Sequence, residues 1–183
     1  GDDCIYVDNI TLYRKDNPTP PIPGGQTFDF EDGTLMGWTN IDADGDGNVW
    51  QNGSSSGLGG HDGSAGMLFS QSYINQVGAL TPDNYLVSPT KMTVQDGAVI
   101  SFWAAAQDAG YPAEHYGVAV STASNTNAND FTTIWEETMT AKRAATVDAY
   151  AKSEIRGTRA QGLWYQKTID LSAYAGQEIW VAI

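Results

Sequence analysis

Cysteine is almost missing from this 183-residue chain. The single thiol, Cys4, has no internal partner for a disulfide, so the fold must be held by its core, by bound ions, or by both. Cys4 itself reads as a small buried thiol in a strand, the alternative being a partner cysteine elsewhere in a parent protein. Positive charge is scarce as well: nine Lys and Arg face 22 Asp and Glu, for a formal net charge of −13. So acidic a chain repels phosphate backbones and anionic headgroups, which excludes nucleic acid as a partner. No apolar run approaches the roughly 20 residues of a membrane span, so no membrane insertion is expected. Gly1-Asp2-Asp3 lacks the basic and apolar regions of a signal peptide, and the sequence is expected to be a mature fragment. Two histidines and one cysteine, none at ligand spacing, disfavour zinc.

What is plentiful points one way. Gly (20), Tyr (9) and Trp (6) are generous while only 17% of residues are charged, below the roughly 25% of an average soluble domain. That is the composition of an all-β secreted protein, and the length suits one domain with a sizeable core. Cys4 to Tyr13 alternates as a half-buried strand, with Ile5, Val7 and Leu12 among β-formers. Residues 15–25 follow with Pro18, Pro20, Pro21 and Pro23 and then Gly24-Gly25, a composition that excludes ladder pairing and reads as an extended linker.

Beyond the linker, β-like segments recur at Gln26–Phe30, Ala65–Tyr73, Asn84–Ser88, Ala98–Ala106, His115–Thr122, Thr132–Thr138, Trp164–Leu171 and Glu178–Ile183, divided by turn-forming residues. Many short strands without intervening helices predict an all-β fold, an antiparallel jelly-roll β-sandwich of galactose-binding-like or MAM-like type, over residues 26–183. Only Ala141 to Arg156 has helix-forming composition; without an apolar stripe it reads as a surface excursion. Ile179, Val181 and Ile183 still alternate where the sequence stops, as if the sandwich lacked its last strand. Residues 1–14 would supply a strand to a module of this same type: in cis as a permutation, in trans by exchange, or as the tail of a preceding module. A lone strand is not stable by itself.

The sharpest local signal is Asp42-Ala43-Asp44-Gly45-Asp46-Gly47-Asn48. Three carboxylates at alternate positions, separated by small residues, suit a hard cation that takes six to eight oxygens at about 2.3–2.6 Å, and Gly47 matches the turn glycine of the helix-loop-helix calcium loop. The twelfth position of such a loop falls on Gly53 and no helix follows, so other oxygens must come from elsewhere. Asn48 would give a backbone carbonyl, Glu31 a carboxylate from the neighbouring strand, and Asp8, inside an otherwise apolar strand, another. Magnesium is less suited because it demands near-octahedral geometry. A solvated acidic turn, and a solvent-facing Asp8, are the plain alternatives.

Catalytic patterns are weak. Gly53-Ser54-Ser55-Ser56-Gly57 has the form of a nucleophile elbow but sits in a serine and glycine loop, not between a strand and a helix. Glu136 and Glu137 are strand neighbours that point to opposite faces and cannot flank one glycosidic bond. Asp108, Glu114, His115 and Tyr116 form a polar cluster around a turn, either a ligand-facing loop or a hydrogen-bonded connection. Trp103, Trp135 and Trp180 lie within strands and read as core, whereas Trp38, Trp50 and Trp164 lie at strand ends where exposed rings could stack on sugars.

Phe28-Asp29-Phe30-Glu31, Gly37-Trp38 through Gly47, Leu80 through Pro89, Ser101-Phe102-Trp103, Glu114-His115-Tyr116, Ile134 through Thr138 and Trp164 through Leu171 resemble, in order, the cleaved adhesin domains of gingipain proteases and related haemagglutinins of oral bacteria. The resemblance implies a calcium-bearing jelly roll without catalytic activity, secreted or on the outer cell surface, adhering to host extracellular proteins or cell-surface glycans. It implies a structural role for calcium, and it implies contact with adjacent modules or a strand-exchanged copy. It also implies a final strand of the pattern aliphatic-x-Asp-x-Ile, which Cys4 to Ile10 resembles. The alternative function is a carbohydrate-binding module of a larger secreted enzyme.

Overall fold

The computed structural model describes residues 3–14, 27–56, 59–140, 155–156, 159–160 and 163–183. The linker 15–25 lies outside the described residues, as does the excursion Ala141–Arg156 except for its last two residues. In chain order the strands are β1 (Asp3–Arg14), β2 (Thr27–Phe28), β3 (Thr39–Asp42), β4 (Gln51–Asn52), β5 (Leu68–Ile74), β6 (Gly78–Ala79) and β7 (Asn84–Val87). There follow β8 (Met92–Thr93), β9 (Ala98–Ala106), β10 (His115–Ser121), β11 (Thr132–Thr138), β12 (Ile155–Arg156), β13 (Arg159–Ala160), β14 (Tyr165–Asp170) and β15 (Glu178–Ala182). Two antiparallel sheets face each other as a jelly-roll sandwich. One runs β14-β9-β1-β5-β4, with β2 on β1 and β6 on β5; the other runs β11-β10-β15-β7-β3, with β8 on β15. Among the described residues no helix is long and apolar enough to cross a membrane.

The core between the sheets draws on inward residues of both, Val7, Ile10, Ile100 and Phe102 from one and Leu86, Val118, Val120, Ile179 and Val181 from the other. Burial of side chains this size contributes about 1.5–3 kcal/mol each. The two longest internal strands, β9 and β1, are the most apolar because both are paired on both edges.

β1 occupies the middle of its sheet. It pairs Ile5 to Val7 with Ala106 to Ala104 of β9 and, on its other edge, with Ser70 to Leu68 of β5. Its alternation hides an irregularity: the register to β9 shifts between Asp8 and Thr11, and Asn9 takes φ +50°. This bulge changes which parity faces inward, so Ile5 and Val7 before it and Ile10 and Leu12 after it share one core. Cys4 and Tyr6 consequently face the other side, where they form a second small cluster with Met67, Ala105 and Trp164, and the thiol is buried.

The tryptophans reverse the expectation from sequence. Trp38, Trp50 and Trp164 are buried, at 3%, 4% and 7% exposure, so they offer no platform to a sugar. Trp38 packs edge-on against Phe28, with ring centres 5.1 Å apart, and Trp164 caps the second cluster. Trp103, Trp135 and Trp180, expected in the core, are half-buried, with Trp135 packed against the main core and Trp103 against the second cluster. A tryptophan just before or after a strand can fold over the open end of a sandwich, which position relative to strand limits does not reveal. The edge pieces β3, β4, β6 and β8 were too short, two to four residues, to show an alternation in the sequence.

Candidate metal centres

The acidic loop follows β3 directly. Its backbone closes on Asp42, whose Oδ1 accepts from the Gly45 N–H at 2.8 Å and whose Oδ2 accepts from the Gly47 N–H at 3.0 Å. Both glycines have positive φ, +72° and +81°, a conformation that side chains disfavour. Asp46 accepts from the Asn48 N–H at 2.7 Å, and the loop is tied to β7 by the Ala43 N–H donating to the Asp83 carbonyl at 3.0 Å. Carboxylate oxygens of Asp42, Asp44 and Asp46 thereby lie within 4.8 Å of one another. Backbone donation, chiefly from Gly47, holds the Asp42 carboxyl below its ordinary range. Asp44 is pushed above it by lost hydration and by the neighbouring charges of Asp42 and Asp46. The loop thus concentrates charge on one side that its own donors neutralise only in part.

Asn48 stays at this triad, its side-chain amide donating to Asp46 Oδ2 at 2.9 Å, whereas Glu31 and Asp8 are not among its carboxylates. Glu31 Oε1 accepts from the Gly66 N–H at 2.9 Å, and the Asn48 carbonyl accepts from Asn84 Nδ2 at 2.7 Å. Glu31 follows β2, and β2 pairs with β1 in the other sheet from the one that carries the acidic loop.

Glu31 instead comes to Asp8. The bulge in β1 turns Asp8 into a fully buried position, 0% exposed, where it accepts from Asn9 N–H (2.7 Å), His61 N–H (2.8 Å) and Ser64 Oγ (2.8 Å). All three are neutral donors. Burial outweighs them and pushes the carboxyl up to about 7, and the Glu31 charge nearby adds to the rise. The loop around Gly60 and Gly66 is crowded against this pair. A Cβ on Gly60 would stand 2.7 Å from Asp8 Oδ2 and 2.6 Å from the Gly66 carbonyl oxygen, and one on Gly66 would strike the Phe30 backbone. Phe30, immediately before Glu31, takes φ +56°, an unusual conformation for a bulky residue. His61 closes the arrangement by stacking on Trp103, ring centres 3.7 Å apart. Two carboxylates, a hydroxyl and a backbone carbonyl offer oxygen alone, the donor set of a hard cation.

Sequence reading missed His61, Ser64, Gly66 and Asn84. The run Gly59-Gly60-His61-Asp62-Gly63-Ser64-Ala65-Gly66 reads as an ordinary loop, and only its glycine density hinted at close backbone approach.

The polar cluster divides in two. Both carboxylates are buried: Asp108 accepts from Gly110 within its own turn, at 2.7 Å, and Glu114 accepts from Ser72 Oγ of β5 at 2.7 Å. Glu136 and Glu137 diverge as expected of strand neighbours. Glu136 lies 3.4 Å from His115 Nε2, and Glu137 meets Lys167 and accepts from the Tyr116 hydroxyl. Ser55 belongs to a three-residue 3₁₀ turn, not to a strand-to-helix elbow.

Comparison with known proteins agrees with this architecture. The family model described as Cleaved Adhesin Domain matches residues 27–183. Hemagglutinin A of Porphyromonas gingivalis is 47% identical over 149 residues, covering 79% of this chain and 7% of that protein. Gingipain R1 of the same species is 44% identical over 145 residues, 79% of this chain and 8% of its own length. Among solved structures, the K1 cleaved adhesin domain of Lys-gingipain from P. gingivalis W83 superposes with a TM-score of 0.65 at 41% identity, covering 84% of this chain and 83% of that one. The K3 domain of that protein gives 0.61 at 41% identity, over 84% and 85%. The chain spans under a tenth of the two curated relatives.

Proposed function

The chain belongs to the cleaved adhesin domain family, and from that premise we propose that it is a non-catalytic adhesion module, secreted or displayed on the outer cell surface, that binds host extracellular proteins or cell-surface glycans and is stabilised by calcium. The family match over nearly the whole sandwich carries this reading, and one of the relatives is named Hemagglutinin A. Absence of turnover is supported by the chemistry: Ser55 lacks an elbow, and the adjacent Glu136 and Glu137 engage different partners on diverging faces. The carbohydrate-binding alternative loses the three tryptophans that motivated it, because they are buried.

Calcium is assigned to two places. Asp42, Asp44 and Asp46 would hold one ion, whose charge would relieve the repulsion that raises Asp44. Asp8 and Glu31 would hold the other, and there the fit rests on a buried carboxylate whose described partners are all neutral. Bound calcium supplies positive charge and nothing more. The chain's own residues do the structural part: Asp8 fixes the bulge of β1 to the 59–66 loop, and Asp42 fixes the turn after β3. In extracellular modules such sites bind calcium at about 10⁻⁴–10⁻³ M, which suffices where the ion is abundant.

The test is adhesion of beads carrying the 183-residue chain to erythrocytes and to immobilised extracellular-matrix protein. Retention in calcium that falls in chelator is the expected result. Beads that bind neither target in calcium would remove the adhesion reading. An unchanged melting temperature in chelator would remove the calcium reading.

A further inference from the structure

The β7-β3 ladder carries a hollow on its outer face. Leu86 faces the core, so its neighbour Tyr85 faces out, and Tyr85 stands beside Ile41 across the ladder. These two half-buried side chains form the floor of a cavity of about 400 Å³, inside the roughly 300–1,000 Å³ range of small-molecule sites. β3 and β7 pair along their whole length, from Thr39 with Val87 to Asp42 with Asn84, and the Ala43 N–H prolongs the ladder onto the Asp83 carbonyl. The hollow therefore lies over a closed part of the sheet, not in the lane of β15.

Its far wall is the connection from β10 to β11, which is held in shape by its own bonds. Ser121 Oγ accepts from the N–H groups of Ala123 and Ser124 at 3.2 and 3.1 Å, and Ser124 Oγ donates to Asp130 Oδ2 at 2.7 Å. Phe131 leans on the Tyr85 ring, centres 5.6 Å apart, and so seats the connection against the floor. Thr126, Asn127 and Asn129 line the cavity from this wall and Asp83 from the other, all of them exposed. Asn127 spends Oδ1 on the Asn129 N–H at 3.1 Å, which leaves its amide nitrogen to donate. Burial, and then the Asp83 charge, raise the Tyr85 hydroxyl, so it stays protonated and able to donate.

We propose that this cavity binds one neutral pyranose ring of a glycan, the C–H face of the sugar on Tyr85 and Ile41 and its hydroxyls on Asp83, Thr126, Asn127 and Asn129. A sugar hydroxyl is at once donor and acceptor; side-chain amides and a threonine hydroxyl answer both, and the Asp83 carboxylate accepts. A pyranose is likewise two-faced, apolar on its C–H side and polar at its rim, which matches a floor of one aromatic and one aliphatic side chain inside a polar margin. An acidic sugar fits poorly: the cavity holds a carboxylate, its described walls include no lysine or arginine, and the chain carries a net −13. This floor is independent of the three buried tryptophans. Because the connection is already folded, little ordering opposes binding.

This inference rests on the adhesion reading in naming the glycan part of its target, and it fails separately. The 183-residue chain in calcium is titrated with methyl β-galactoside, methyl α-mannoside and methyl β-glucoside, and with N-acetylneuraminic acid as the charged control, while backbone amide resonances are followed. At least one hexoside is expected to bind at about 1 mM, the range for a ligand of about a dozen atoms, and to move Tyr85 and Thr126 to Asn129. The acid should bind at least tenfold more weakly. Asn129→Ala and Asp83→Asn should each weaken the hexoside at least fivefold with the melting temperature unchanged; if Asp83→Asn melts earlier, Asn129→Ala decides alone. Resonances that stay still up to about 50 mM of every hexoside, equal affinity for the acid, or wild-type affinity in Asn129→Ala would overturn the proposal. Hexoside binding without erythrocyte retention would sink the adhesion reading alone, and retention without hexoside binding would sink this inference alone.

Discussion

Burial of Asp8 makes a prediction whose sign depends on calcium. In chelator the folded carboxyl keeps its proton up to about pH 7, whereas the unfolded one releases it near 3.8. Between those values folding takes up a proton, so the stability Asp8 permits falls as pH rises, by about 1.4 kcal/mol per pH unit at most, and the loss is complete above pH 7. Integrated from pH 5 to pH 8 the fall is about 2.5 kcal/mol. His61 works in the opposite direction: burial holds its ring below the ordinary histidine range, so its protonation penalises the fold as pH drops. Glu114, also raised by burial, adds to the Asp8 trend. The comparison must therefore be with Asp8→Asn, in which the other two groups are unchanged. Urea unfolding in chelator is expected to show wild type losing about 2.5 kcal/mol relative to Asp8→Asn between pH 5 and pH 8. With saturating calcium the ionised carboxylate is the favoured form, and the variant becomes the less stable protein at pH 8. A wild-type-minus-variant difference that stays flat with pH in chelator would refute the placement of Asp8 in a dry site.

Three further outcomes follow from contacts already described. Gly66→Ala should lower stability by about 1–3 kcal/mol, the usual cost of overpacking, because the new methyl strikes the Phe30 backbone; thermal unfolding reads it. Asp44→Asn should raise the melting temperature in chelator, since it removes a carboxyl crowded by Asp42 and Asp46, and should reduce the calcium-induced increase; calorimetric titration should show one class of site weakened and the other kept. Tyr116→Phe should cost about 1 kcal/mol by deleting one hydrogen bond, leaving Glu137 to Lys167 alone; an unchanged urea midpoint would show that bond to be immaterial.

The fold was legible where strands were long. Ala98–Ala106 and Thr132–Thr138 were read to the residue, because an unbroken run of β-formers bounded by turn residues leaves little choice. The acidic loop was legible as a unit, since alternating carboxylates and glycines constrain one another locally. Its relation to Glu31 and Asp8 was not, because which loop meets which strand end depends on the order of strands across two sheets. The bulge at Asp8 and Asn9 explains a further silence. Alternation across Cys4 to Tyr13 predicts one inward parity, and only a register shift lets Val7 and Ile10 share a core while Asp8 turns away from it. The tryptophans failed for a similar reason: exposure follows from what folds over a ring, and nothing at Trp38 or Trp164 announces its cover.

β1 precedes both of its neighbours in the chain and is seated only after them. It lies between β9 and β5, so its groove has two walls only after Ala106 has been synthesised, and Val7 meets Ala104 across a separation of 97 residues, compared with 18 for Ile10 and Phe28. Closing the larger loop costs about 1.5 kcal/mol more than the smaller, which places insertion of this strand among the slow steps. Until then the half-built sheet has a vacant central lane flanked by two sticky apolar borders, and any similar strand nearby competes for it. Folding of such a chain would favour arrangements in which that lane is filled before crowding begins.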